Sequence, residues 1–152
     1  MPVDRYAPRQ ISKQLLIIGE GSADEAFFVN LCAARAVAGF QVIGLKGVEK
    51  GTPTGNTGFQ EYLNAIKDTT GFDDLKGVVI VADCDDKPQD RFLEIRKQLK
   101  KAQYGEPDNP FQIVHSRPGI PAVAVVMVPF TNALGPQKGC LETLILRALR
   151  GR

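Results

Sequence analysis

Apolar residues in this chain fall alternately into continuous runs and helically spaced sets. Leu15–Ile18 run unbroken into Gly19-Glu20-Gly21, and apolar residues then recur with helical spacing at Ala26, Phe27, Phe28, Val29 and Leu31. A short continuous run reads as a strand buried on both faces, as in a parallel sheet covered by helices. The pattern predicts a strand over 14–20 and a helix over 23–38, with Gly39 in the left-handed position that ends such a helix. Ser22 with Glu25 three residues later reads as a capping box at the helix start. A shorter, more polar strand is expected over 41–46, and Gly47–Gly58 forms a loop rich in glycine and threonine. That loop lacks the Gly-Lys-Ser/Thr of a phosphate-binding loop and reads as a plain flexible connection more readily than as an active-site flap. Phe59, Tyr62, Leu63 and Ile66 mark one face of a helix over 58–69.

Gly77–Ala82 is a third strand, apolar and mostly β-branched, closed by Asp83-Cys84-Asp85-Asp86. The helix expected over 88–102 buries Phe92, Ile95, Leu99 and Ala102 and turns Arg91, Arg96, Lys97, Lys100 and Lys101 outward. Residues 104–121 read as irregular, with a short extended piece at Phe111–His115. Ala122–Val128 is the fourth strand. After a second Pro/Gly loop, Gly139-Cys140-Leu141-Glu142 opens an amphipathic helix carrying Leu141, Leu144, Ile145, Ala148 and Leu149. This alternation predicts a three-layer, Rossmann-like α/β fold with a mainly parallel four-stranded sheet. If the first and third strands are neighbours, the strand order is 2-1-3-4. One domain over 1–152 is expected, with 1–13 as a loose lead-in.

Composition narrows the function classes. Charged residues at 24% and hydrophobic residues at 43% are ordinary for a globular chain. A net charge of +2 is too small to imply a nucleic-acid partner by itself. Cys32, Cys84 and Cys140 are widely spaced with no C-x-x-C pair, which argues against a disulfide framework or a cysteine-built zinc site. The longest uncharged apolar run, Ala122–Phe130, is too short for a membrane span, and the first residues do not form a signal peptide. A cytoplasmic protein with no membrane partner is expected.

Candidate chemistry lies at the strand ends. Glu20, Asp83 and Asp85 close buried strands and should face one rim of the sheet, with Asp24 joining from the first helical turn. In a 2-1-3-4 order the winding reverses between strands one and three, where open α/β sheets bind ligands. Carboxylates grouped there repel one another unless a cation is present, and hard oxygen donors point to Mg²⁺ or Mn²⁺. Each residue also has an ordinary explanation: an exposed strand end for Glu20, the helix dipole for Asp24 and Glu25, a solvated turn for Asp83–Asp86. Their grouping on one rim favours the joint functional reading.

An apolar run into Glu20-Gly21-x-x-Asp24, followed by a later apolar run closed by Asp83-x-Asp85, resembles the Toprim domain. That domain is shared by bacterial primases, type IA and type II topoisomerases, recombination-repair proteins and the overcoming-lysogenisation-defect nucleases. Gly139-x-Leu141-Glu142-x-Leu144-Ile145 is similar to a signature of small stand-alone Toprim-related proteins and of the nuclease branch. Gly19 departs from the pattern, standing where the family usually has a bulky apolar residue. The resemblance implies a divalent-metal site for phosphoryl-transfer chemistry on nucleic acid, DNA or RNA. Glu20 is then the candidate general acid/base, Asp83 and Asp85 are metal ligands, Asp24 supports the site, and Glu142 is a second-metal ligand. The rival expectation is a non-catalytic module that binds a nucleotide or nucleic-acid end, or serves in a larger assembly. A phosphatase with Asp83 as nucleophile fits less well, because no downstream Lys-Asp pairing is evident.

Other features carry less weight. His115 reads as an ordinary polar side chain, Cys84 as small filler facing the sheet's other side, and the basic face of the third helix more readily as a solvated surface than as a phosphate track.

Overall fold

The computed structural model describes residues 10–45, 58–131 and 134–150. Residues 1–9 of the expected lead-in and nearly all of the glycine- and threonine-rich loop lie outside them. Four strands, β1 (Leu15–Gly19), β2 (Phe40–Gly44), β3 (Gly77–Asp83) and β4 (Ala122–Val128), form one parallel sheet in the order β2-β1-β3-β4. The helices are α1 (Ser22–Ala34), α2 (Gly58–Ala65), α3 (Pro88–Lys101) and α4 (Leu141–Arg150). The α/β class, the parallel sheet and the 2-1-3-4 order are therefore as the hydrophobic pattern predicts.

Strand side chains alternate between two unequal cores. Leu16, Ile18, Val78, Ile80, Ala82, Val123, Val125 and Met127 pack against α2 and α3, where Phe59, Tyr62, Leu63, Phe92, Ile95 and Leu99 are fully or almost fully buried. Burying each such side chain contributes roughly 1.5–3 kcal/mol, so this face dominates stability. The opposite face is thinner. Ile17, Val81, Val128 and Leu141 are buried there, with Phe27, Phe28, Cys32 and Phe40 only partly covered. No residue of α1 is fully buried.

Several local expectations change. The N-cap of α1 is Gly21, and the backbone N–H of Gly21 is accepted by Asp24 Oδ2 at 3.0 Å. The Ser22–Glu25 pair is not the cap. Glu25 instead reaches across to β2, its Oε2 accepting the Gly44 N–H at 3.0 Å. Helix α1 also ends early, with Ala36 left-handed at φ 52° and the Val37 N–H returning to the Cys32 carbonyl; Gly39 is left-handed too, but beyond the helix. The tail of the lead-in is anchored: Ile11 is buried, its N–H bonds the Thr70 carbonyl, and the Gln41 side chain holds Ser12 N and Gln10 O. A small hairpin of β5 (Phe130–Thr131) and β6 (Gly135–Pro136), unannounced by any pattern, precedes α4. The extended piece expected at Phe111–His115 is reduced to one bridge, Val114 with Val123.

Helix α3 is fixed at its far end by Lys67, whose Nζ donates to the Ala102 carbonyl at 2.6 Å. One turn earlier the buried Gln98 accepts the Gln60 N–H. These contacts set the axis along which its first turn meets the sheet rim.

Candidate functional site: a carboxylate rim with a resident arginine

Strands β1 and β3 are hydrogen-bonded neighbours, so Glu20 and Asp83 leave the sheet side by side at its carboxyl edge. Glu20 is held from two directions. Its Oε2 accepts the backbone N–H of Asp83 at 3.3 Å, and its Oε1 accepts Arg91 Nη2. The Arg91 side chain is only 11% exposed against 25% for Glu20, and its other terminal nitrogen reaches Glu94 at 3.2 Å. Arg91 was expected to face outward with the other cations of α3; the structure corrects this. Helical spacing alone grouped it with the basic face. One signal pointed the other way: a cation in the first turn opposes the helix dipole and therefore needs a local partner.

Asp83 is half-buried and caps α4, its Oδ1 accepting the Leu141 N–H at 2.9 Å. Asp24 lies over Gly19, where a β-carbon would come within 2.6 Å of Asp24 Cβ. The glycine that departs from the Toprim pattern thus makes the space that Asp24 fills. Asp85 is exposed and left-handed at φ 53°, a conformation that aspartate tolerates better than most residues. Its backbone forms a two-bond bridge with Gly139, at 2.7 and 2.9 Å, that ties the end of β3 to the entrance of α4. Glu142 stands exposed in the first turn of α4.

A family model described as a protein of unknown function, DUF3226, matches residues 12–151. The chain belongs to the DUF3226 family. No curated protein and no solved structure matches it. The DUF3226 match spans every element from β1 to α4, and so contains Glu20, Asp24, Asp83, Asp85, Arg91 and Glu142.

Electrostatically, the rim of this DUF3226 member is a place of excess negative charge. Burial pushes the Asp83 carboxyl up to about 6; the Leu141 N–H works against that rise, and the charges of Glu20, Asp24 and Glu142 add to it. Asp24 is raised as well, by burial first, with the Gly21 N–H opposing and Glu142 contributing. Glu142 is lowered, chiefly by a hydrogen bond from Cys140 and then by its own backbone N–H. Glu20, Asp24, Asp83 and Glu142 are therefore one electrostatic group. Cys84, fully buried, is filler as expected: burial raises its thiol to about 11 and its Sγ contacts the Pro129 carbonyl.

Among the described residues, no three Asp, Glu, His or Cys side chains stand close enough to form a ready-made metal cage. The donor chemistry nonetheless suits a hard divalent cation. The donors are oxygens, and their shared repulsion is what a cation would relieve. No helix in the described residues is long and apolar enough to cross a membrane.

Proposed function

We propose that the chain is a Toprim-like, divalent-metal-dependent domain for phosphodiester cleavage or phosphoryl transfer on nucleic acid. The observation that carries this reading is the placement of Glu20 and Asp83 side by side at the switch point between β1 and β3, with the charges of Asp24 and Glu142 also acting on Asp83. Asp83, Asp24 and Glu142 would hold Mg²⁺ or Mn²⁺, with Asp85 two residues beyond Asp83 as a further ligand. When bound, the ion would supply neutralisation of phosphate charge and orientation of the attacking oxygen. Glu20 would take the proton from that oxygen, as general base, and return it to the leaving group. Arg91 and the Asp83 N–H hold the Glu20 carboxylate in one orientation, so the base is positioned before substrate arrives.

One observation favours the rival reading, a binding module without catalysis. Both Glu20 oxygens already have partners, which equally suits a strut between β1 and α3. The two readings separate in solution. Catalysis predicts slow Mn²⁺- or Mg²⁺-dependent cleavage of single- or double-stranded nucleic acid, lost in Glu20→Gln. Metal binding in both readings predicts an upward thermal shift of roughly 3–6 °C at about ten times the dissociation constant. A metal shift without cleavage leaves the binding module, and no metal shift removes both.

A further inference from the structure

Helix α3 carries five cations, and Arg91 is turned inward to Glu20. The other four were expected to cover a convex, solvated surface. Three of them line a concavity instead. Arg96, Lys97 and Lys100, with Leu93, form one wall of a groove of about 290 Å³ that Glu106 closes from the other side. Arg96 leans across to the 106–110 segment, its Nη2 lying 3.4 Å from Asp108 Oδ1, while Lys97 and Lys100 are exposed.

At Leu93 the groove meets a second cavity of about 280 Å³, of a different character. It is lined by Phe92, by the rings of Pro88, Pro110 and Pro136, by the amides of Gln89 and Asn109, and by the Asp108 carboxylate that Arg96 pairs with. Asp108 and Asn109 donate their backbone N–H groups to Gln112 Oε1, which fixes the loop that closes this cavity. A flat ring whose edge donates a hydrogen bond to Asp108 suits such a slot.

The three places follow one another along α3. Pro88 comes three residues after Asp85, and Pro136 three before Gly139, the residue bridged to Asp85. The ring slot therefore lies next to the Asp85–Gly139 bridge, and the cationic groove continues from it. Pro88 to Lys100 spans twelve residues, or roughly 18 Å of helix. Alternating a ring slot with a run of cations is the pattern that holds a single-stranded polynucleotide: cations follow the phosphates and apolar surfaces stack a base.

We propose that a single-stranded nucleic acid lies along α3, one unstacked base in the Phe92–Pro110–Pro136 slot and the following phosphates on Arg96, Lys97 and Lys100. This rests on the proposed function only in placing the scissile phosphate at the rim; the track itself needs no metal. A base held in a duplex stack cannot enter the slot, so single strands are preferred.

The test is fluorescence anisotropy in EDTA with fluorescein-labelled oligothymidylate and oligouridylate of about twelve nucleotides. Three phosphate contacts predict a slope of log K against log salt of about −2. Lys97→Glu/Lys100→Glu should weaken binding at least tenfold and flatten that slope, and Lys97→Ala/Lys100→Ala should do so to a lesser degree. Melting curves confirm that these exposed-site variants remain folded. An abasic strand of the same length should bind several-fold more weakly than the thymidylate, and a blunt duplex more weakly still. Binding unchanged by either lysine pair, a duplex bound as tightly as the single strand, or equal displacement by oligoglutamate would overturn the track. Failure of the metal reading would appear separately, as a missing Mn²⁺ thermal shift in a protein that still binds the strand.

Discussion

Arg91 is the residue that most changes the picture of the rim. It places a fixed positive charge against one of four mutually repelling carboxylates, in a nearly buried setting where an unpaired partner is costly. Arg91→Met should therefore lower stability by about 1–3 kcal/mol, less than a fully buried pair because Glu20 is one-quarter exposed. Arg91→Met/Glu20→Gln should recover much of the loss. Chemical denaturation of the four proteins of this cycle measures the coupling, and purely additive losses would mean that the pair contributes no specific stability. The sequence signals that Arg91 needs a partner but not which one. Glu20 and Arg91 are 71 positions apart, and a helical period specifies the direction of a side chain only to within a face. Glu20 and Asp83 were legible because each follows a buried run, and a buried run ends where the rim begins.

Elements were legible in proportion to how strongly burial dictates them. β3 and β4, apolar throughout, appear within a residue of their predicted bounds, and the inward faces of α2 and α3 are as the period indicates. Contacts set by tertiary geometry were not legible: the hairpin before α4, the anchoring of Ile11, and the Glu25 latch to β2. α4 itself is amphipathic as expected, yet Ile145 and Leu149 of its apolar stripe are exposed, Leu149 by 61%. Among its described side chains, the attachment comes from the first turn, through buried Leu141 and the Asp83 cap. Amide hydrogen exchange should therefore find α4 opening well before β1 and β3, whose bonds lie between two layers. Equal protection of α4 and the central strands would mean that the helix is held by more than its entrance.

For the whole molecule, the rim makes stability depend on pH in an unusual direction. Asp83 has a folded-state pKa of about 6, above the roughly 3.9 of an unfolded aspartate. Between those values the folded protein binds the proton more tightly than the unfolded chain, so acidification stabilises it. That gain is complete below the unfolded pKa and is lost as pH rises through about 6. Asp24, also raised, acts in the same sense. Without metal, the melting temperature should increase as pH falls from about 7.5 to about 5. Asp83→Asn keeps an oxygen for the Leu141 N–H and removes one repelling charge. It should melt at or above wild type near neutrality and show a smaller acid gain. Saturating Mg²⁺ should reverse the order of the two proteins near neutrality. Parallel pH profiles for both in thermal denaturation would remove Asp83 as the source of the effect.

Two positions without side chains determine where these charges can stand. Gly19 and Gly44 are paired across β1 and β2. A β-carbon on Gly19 would strike Asp24, and one on Gly44 would come within 2.3 Å of the Gly21 carbonyl oxygen. Together these gaps let the first turn of α1 sink against the sheet edge. Transplanting the rim onto another parallel sheet would thus require copying two empty volumes along with the acids. A graft that matched every carboxylate but kept alanines at those points would lift α1, and Asp24 with it, out of reach of its neighbours.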